Sequence, residues 1–314
     1  TSSSFVLWKM KALKVLFAAE PFTLAILTSK QPRHGQMKST TDFFQGHAGW
    51  RWSLPQGDSV FVAAQGAQVL SWQTGGRERL YLSPAAACDG TKAIRGGIPV
   101  CFPQFNQRGN LPKHGFARNL EWHCVPERSQ GSEKVFELVA NSSTLAIWPF
   151  QFRALLSVLL TESDLKVQLQ VENLGPQTLS FTGALHTYLA VKHLDAVSLH
   201  GQAQQAEWDA VRDTHQSCSG VLKFDAEFDR VYDIEAQAQA QPTWTLQEGP
   251  DTLQIAQSAS WGQSVVWNPG AEKCSQLKDM PKDAYQGMLC VEAARVTSAI
   301  QVQPAQTWTG WQSF

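Results

Sequence analysis

Nowhere in the chain do lysines and arginines gather into a run, and across 314 residues the formal net charge is only -1, with 17% charged residues. This leaves no electrostatic stripe to follow a nucleic-acid backbone, so any bound anion is expected to be small and held locally. No apolar stretch is long enough to span a bilayer. The nearest candidate, Val15 to Thr28 behind Lys9, Lys11 and Lys14, is split by Glu20 and Pro21. That break excludes a transmembrane helix and a secretory signal peptide alike. Cysteine is sparse: Cys88, Cys101, Cys124, Cys218, Cys274 and Cys290 form no C-x-x-C pair and lack zinc-ligand spacing. Reduced thiols in the cytoplasm are the expectation. Long amphipathic helices and repeats of solenoid period are missing as well.

What is present is the pattern of an antiparallel β protein. With 43% hydrophobic residues the chain can bury a substantial core. From about residue 44 onward, short alternating apolar runs recur between clusters of Gly, Pro, Asn and Asp. The clearest is Leu165 to Val171, where Leu165, Val167, Leu169 and Val171 alternate with Lys166, Gln168 and Gln170 before the turn Asn173-Leu174-Gly175-Pro176. Further strands are expected at 59–63, 69–72, 135–139, 153–160, 179–185, 253–256, 264–267, 288–292 and 299–302. So many strands predict an all-β fold of two large facing sheets. Residues 44–314 carry no Pro/Ser-rich linker and read as one domain. Residues 1–43 read as an extension, expected to be non-native or disordered, with Met37 as the natural start. The twelve tryptophans are expected mostly in the core, a few being free to stack on a sugar.

Five segments could carry chemistry. In Arg95-Gly96-Gly97-Ile98-Pro99-Val100-Cys101-Phe102-Pro103-Gln104-Phe105 an arginine precedes two glycines that allow close backbone approach. Lys113-His114-Gly115-Phe116-Ala117-Arg118 packs two cations and an imidazole together. Arginines from two separate loops could hold a dianion, or could be ordinary surface ion pairs. In Leu185-His186-Thr187-Tyr188 a histidine follows a buried strand, where it is either a satisfied core residue or a catalyst. In Leu289-Cys290-Val291-Glu292 a carboxylate ends an apolar run. Such a group must find donors, shift its pKa or face a cleft. Glu227-Phe228-Asp229-Arg230-Val231-Tyr232 mixes charges with aromatics just after a probable loop, and by itself also reads as a solvated turn with a local salt bridge.

Taken in order, R-G-G-I-P-V-C-F-P-Q-F, H-G-F-A-R, L-H-T-Y, D-R-V-Y, V-V-W-N-P-G and D-M-P-K-D-A-Y-Q-G-M-L-C-V-E resemble the hexose-6-phosphate mutarotases, also called glucose-6-phosphate 1-epimerases. The resemblance covers roughly residues 45 to 314, including Ile147-Trp148-Pro149. It implies a galactose-mutarotase-like sandwich that interconverts α and β anomers of a hexose 6-phosphate without a metal or other cofactor. It further implies His186 as general acid and Glu292 as general base, with Arg95, His114, Arg118 and Asp229 lining the substrate site. On this reading Arg95 and Arg118 contact the phosphate, whereas Lys113 either adds affinity or lies in solvent. The expected partner is the sugar phosphate alone, bound by a monomer, with no nucleic acid and no membrane. An aldose 1-epimerase for neutral hexoses and a non-catalytic sugar-phosphate binder remain as alternatives.

Overall fold

The alternation at Leu165 becomes a strand, Leu165–Asn173, whose residues are buried and half-buried in strict turn. It lies inside a nine-stranded antiparallel sheet, between Phe152–Leu160 and Thr307–Ser313. A computed structural model describes residues 40–234 and 243–314. Among these, a second large sheet has eight strands, with Phe228–Asp233, Gln263–Asn268, Met288–Val302 and Leu179–Leu185 consecutive at its centre. A further sheet of five strands runs from Thr40–Phe44 to Arg77–Glu78. The galactose-mutarotase-like β-sandwich is thus present, with the opening strands forming a sheet of their own beside the two large ones. The two α-helices among the described residues, Ser142–Ile147 and Gly270–Gln276, are short. None of the described helices is long and apolar enough to cross a membrane.

One core joins the three sheets, drawing Trp52, Val60 and Trp72 from the first, Leu156, Val167 and Trp244 from the second, and Phe181, Val266 and Val291 from the third. Trp52, Trp72, Trp122, Trp244 and Trp261 are fully buried, so packing accounts for these tryptophans. Trp148 of the Ile147-Trp148-Pro149 segment packs its ring against Phe102, Phe150 and Phe152.

Two boundaries differ from the sequence reading. The segments 288–292 and 299–302 are the two ends of a single strand, Met288–Val302, whose pairing shifts register opposite Phe181 and Gly183. The bulge breaks the apolar alternation there, so the run read as two strands. The first strand begins at Thr40, ahead of residue 44, and pairs with His47–Ser53. The rest of the expected extension over 1–43, including Met37, lies outside the described residues.

The strand Met288–Val302 also explains Glu292. Leu289, Val291 and Ala293 belong to the main core, whereas Met288, Cys290 and Ala294 pack in separate clusters on the opposite face. A strand buried on both faces reads as continuously apolar. Its one carboxylate points away from the main core.

Candidate active site

Strand register sets the floor of the site. Glu292 pairs with Val265, Cys290 with Trp267, and Trp267 in turn with Asp229. Side chains two residues apart share a face, so Asp229, Val265, Trp267 and Glu292 all line one pocket, joined by Arg95, His114, Arg118 and His186. All six residues singled out in the sequence therefore converge. Lys113, Lys273, Tyr188 and Asn106 border the same pocket.

Backbone constraints deliver the remaining groups. Gly97 has φ +60°, and a Cβ on it would lie 2.1 Å from the Val69 carbonyl oxygen. Only glycine lets the chain pass there, and Arg95 is thereby fixed at the pocket edge. His114 itself has φ +63°, and the following Gly115 abuts the Phe102 carbonyl, where a Cβ would sit 2.0 Å away. His114 Nδ1 accepts the Asn106 backbone N–H at 3.3 Å and lies 3.2 Å from Cys101 Sγ. With Nδ1 an acceptor, the proton of the neutral ring belongs on Nε2, making His114 a donor. Burial, then the neighbouring His186, hold its pKa far below the usual histidine range.

His186 follows the strand Leu179–Leu185 and donates its backbone N–H to the Pro99 carbonyl at 3.0 Å. Its Nδ1 stands 3.3 Å from Glu292 Oε1, but the angles do not make a hydrogen bond. His186 Nδ1 and Glu292 Oε2 are both buried without a protein partner. The imidazole ring is held by packing instead. Tyr188 stacks on it at 4.9 Å and 8°, and Trp267 and His114 meet it edge-on. Burial raises the Glu292 carboxyl well above the usual range, with Asp229 adding to the effect. Burial, then Arg118 and Arg95, lowers His186. Without a ligand the pair therefore favours a protonated carboxyl beside a neutral ring. Asp229 is pushed up to about 6, first by burial.

The cations around the pocket differ in their pairing. Arg95 contacts Asp279 Oδ2 through Nε and Nη2, both at 3.0 Å, and donates from Nη1 to the Tyr188 hydroxyl at 3.0 Å. Lys273 is paired with Glu227. Arg118 donates from Nη2 to the Lys113 carbonyl at 3.0 Å, and its Nε is buried without a protein partner. Among the described residues neither Arg118 nor Lys113 forms an ion pair. Partial burial, then repulsion from Arg95, Arg118 and Lys273, holds the Lys113 ammonium below its usual range, with Asp229 acting in the opposite sense.

His186, Cys290 and Glu292 offer ligand atoms within 4.8 Å of one another, a donor set that could take a divalent ion. The arginines that depress His186 would oppose such a cation, so the set suits proton transfer better. The site is thus a protonatable pair, a neutral donor in His114, a carboxylate in Asp229 and two cations in no ion pair with a described residue.

The model of the aldose 1-epimerase family matches residues 50–314. A protein of Cenchrus ciliaris named "putative glucose-6-phosphate 1-epimerase" is 33% identical over 258 residues, covering 78% of this chain and 77% of its own. The chain belongs to the aldose 1-epimerase family. A second relative of the same name, from Escherichia coli K12, is 34% identical over 257 residues, covering 79% and 83%. The crystal structure of a "putative mutarotase" from Salmonella typhimurium superposes with a TM-score of 0.77 at 26% identity, covering 88% of this chain and 92% of that one. The protein Slr1438 of Synechocystis sp. PCC 6803 shares the fold, with a TM-score of 0.71 at 22% identity over 87% and 96%. As a member of the aldose 1-epimerase family the chain is an isomerase with a sugar substrate.

Sequence reasoning did not single out Asp279 or Lys273 and gave no role to Tyr188 or Trp267, although all but Lys273 lie inside the motifs quoted above. A motif shows that a segment matters without showing which of its side chains reaches the site.

Proposed function

We propose that this epimerase is a hexose-6-phosphate mutarotase, with glucose 6-phosphate as representative substrate. The observation that carries the reading is the placing of Arg118 and Lys113, neither in an ion pair with a described carboxylate, in the pocket of the buried His186–Glu292 pair. Two free cations match the charge of one phosphate dianion, and the arginine fork suits its oxygens. A neutral sugar would leave both cations unanswered. The near-neutral net charge supports a small ligand in place of nucleic acid, and six unbridged cysteines support a reducing, cytoplasmic setting.

Mutarotation removes the proton of the anomeric O1 hydroxyl and delivers one to the ring oxygen O5. The C1–O5 bond breaks as C1=O forms, rotation about C1–C2 exchanges the faces, and the steps reverse. Glu292 and His186 together need to hold one proton. In the ligand-free site that proton favours Glu292, because burial, and then the cations, disfavour an imidazolium. A phosphate dianion on Arg118 and Lys113 offsets their field, and the proton becomes available to His186. An ionised Glu292 then accepts the O1 proton while the His186 imidazolium donates to O5. Asp229 accepts from sugar hydroxyls, His114 donates to one, and Arg95 lines the same end of the pocket.

Exchange of anomeric magnetisation in glucose 6-phosphate at equilibrium, with free glucose as control, tests this directly. Selective acceleration of the phosphate is expected. Equal or preferred acceleration of glucose would point to the neutral aldose epimerase, and binding without exchange to a non-catalytic binder.

A further inference from the structure

Arg95 does not stand at the pocket as a free cation. Its guanidinium is held by Asp279 at 3.0 Å and by the Tyr188 hydroxyl at 3.0 Å. The mounting of these residues is shared. Ser83, itself buried, donates its backbone N–H to the Arg95 carbonyl at 2.9 Å and its hydroxyl to the Asp279 carbonyl at 2.7 Å. Tyr188 donates its backbone N–H to the Gly97 carbonyl at 2.8 Å, two residues beyond Arg95. The Tyr188 ring then lies parallel to His186. No described residue hydrogen-bonds either ring nitrogen of His186. A catalytic histidine is commonly oriented by a hydrogen bond to its second nitrogen, and here the stacked tyrosine takes over that task.

Resting on the mutarotase reading above, we propose that Asp279 is a positioning residue: it locks Arg95 onto Tyr188, so that this arginine frames His186 while Arg118 and Lys113 take the phosphate. The two arginines of the site thereby have different tasks. One acts on the ligand and the other on the catalyst.

The test is Asp279→Asn, which keeps the shape and removes the charge. It is expected to lower kcat by about tenfold or more through misplacement of the ring, with KM for glucose 6-phosphate unchanged or reduced. Asp279→Glu should recover part of the loss. Tyr188→Phe, which keeps the stacked ring but deletes the acceptor of Arg95, should move kcat in the same direction with less risk to folding. The imidazole ¹⁵N resonances of His186, read without substrate, should shift in both Asp279→Asn and Tyr188→Phe. An unchanged kcat with unchanged resonances would overturn the proposal, as would a rise in KM for glucose 6-phosphate with kcat intact. Failure of the wild-type protein to exchange any hexose 6-phosphate would count against the mutarotase reading alone, and the resonances would still decide the role of Asp279.

Discussion

Arg95 and Arg118 enter the same pocket under opposite conditions. Arg95 has a carboxylate and a phenol on its guanidinium, whereas the Arg118 guanidinium hydrogen-bonds, among the described residues, only to a backbone carbonyl and keeps a buried Nε without a described partner. Burying a cation with its counter-ion makes a fixed strut, and burying part of one without a counter-ion makes a binding site waiting for an anion. On the proposed reading, identical side chains acquire different functions from the company that the fold gives them. The same contrast separates Lys273, paired with Glu227, from Lys113, which has no ion pair among the described residues.

On the proposed mechanism the proton transfers rest on the His186–Glu292 pair, so the largest effects should come from that pair and ignore the contrast. Glu292→Gln and His186→Ala are each expected to lower kcat by about 10²–10⁴-fold, with the folded state confirmed by circular dichroism. The arginines themselves come next. Arg118→Ala should raise KM for glucose 6-phosphate by about 10- to 100-fold, the worth of a charged hydrogen bond, and barely affect glucose. Arg95→Ala should mainly lower kcat for both sugars. Parallel KM effects from the two substitutions would dissolve the contrast. Lys113→Met should raise KM for glucose 6-phosphate by about fivefold, with the difference from wild type shrinking at high salt.

The smallest expected effects are in pH. Asp229 is raised from 3.8 to about 6 by burial, so it protonates as pH falls through that value. Loss of the charged acceptor should then raise KM on the acid side. For stability the sign is the reverse: the folded state binds this proton more tightly than the unfolded chain, and the penalty of the buried charge is complete above about pH 6. Asp229→Asn is expected to raise Tm by about 2–4 °C near pH 7.5 and to leave it unchanged near pH 3.5. A lower Tm near pH 7.5 would show that Asp229 is a structural ion-pair partner.

The sequence carried much of this because its signals are local. Alternation at Leu165–Asn173 reports one buried and one wetter face directly, and the six site residues were legible because their segments occur together in one order. What escaped depends on distance along the chain. Asp279 meets Arg95 across 184 positions, and nothing in D-M-P-K-D marks its first carboxylate as the one that reaches the site. Lys273 sits on a short helix with no motif around it. Tyr188 lay in plain view beside His186, but its hydroxyl contact and parallel stacking are properties of side-chain geometry. The expectation that Arg95 contacts phosphate followed from the family resemblance, and the pairing with Asp279 gives that arginine a different role in the proposed reading.

The most direct single measurement is the ratio of kcat/KM for glucose 6-phosphate to that for glucose, taken from anomer exchange in the wild-type protein and in Arg118→Ala. The account predicts a ratio well above one in the wild-type protein that collapses by about tenfold or more in the variant. A wild-type ratio near one, or a high ratio that survives loss of Arg118, would contradict it.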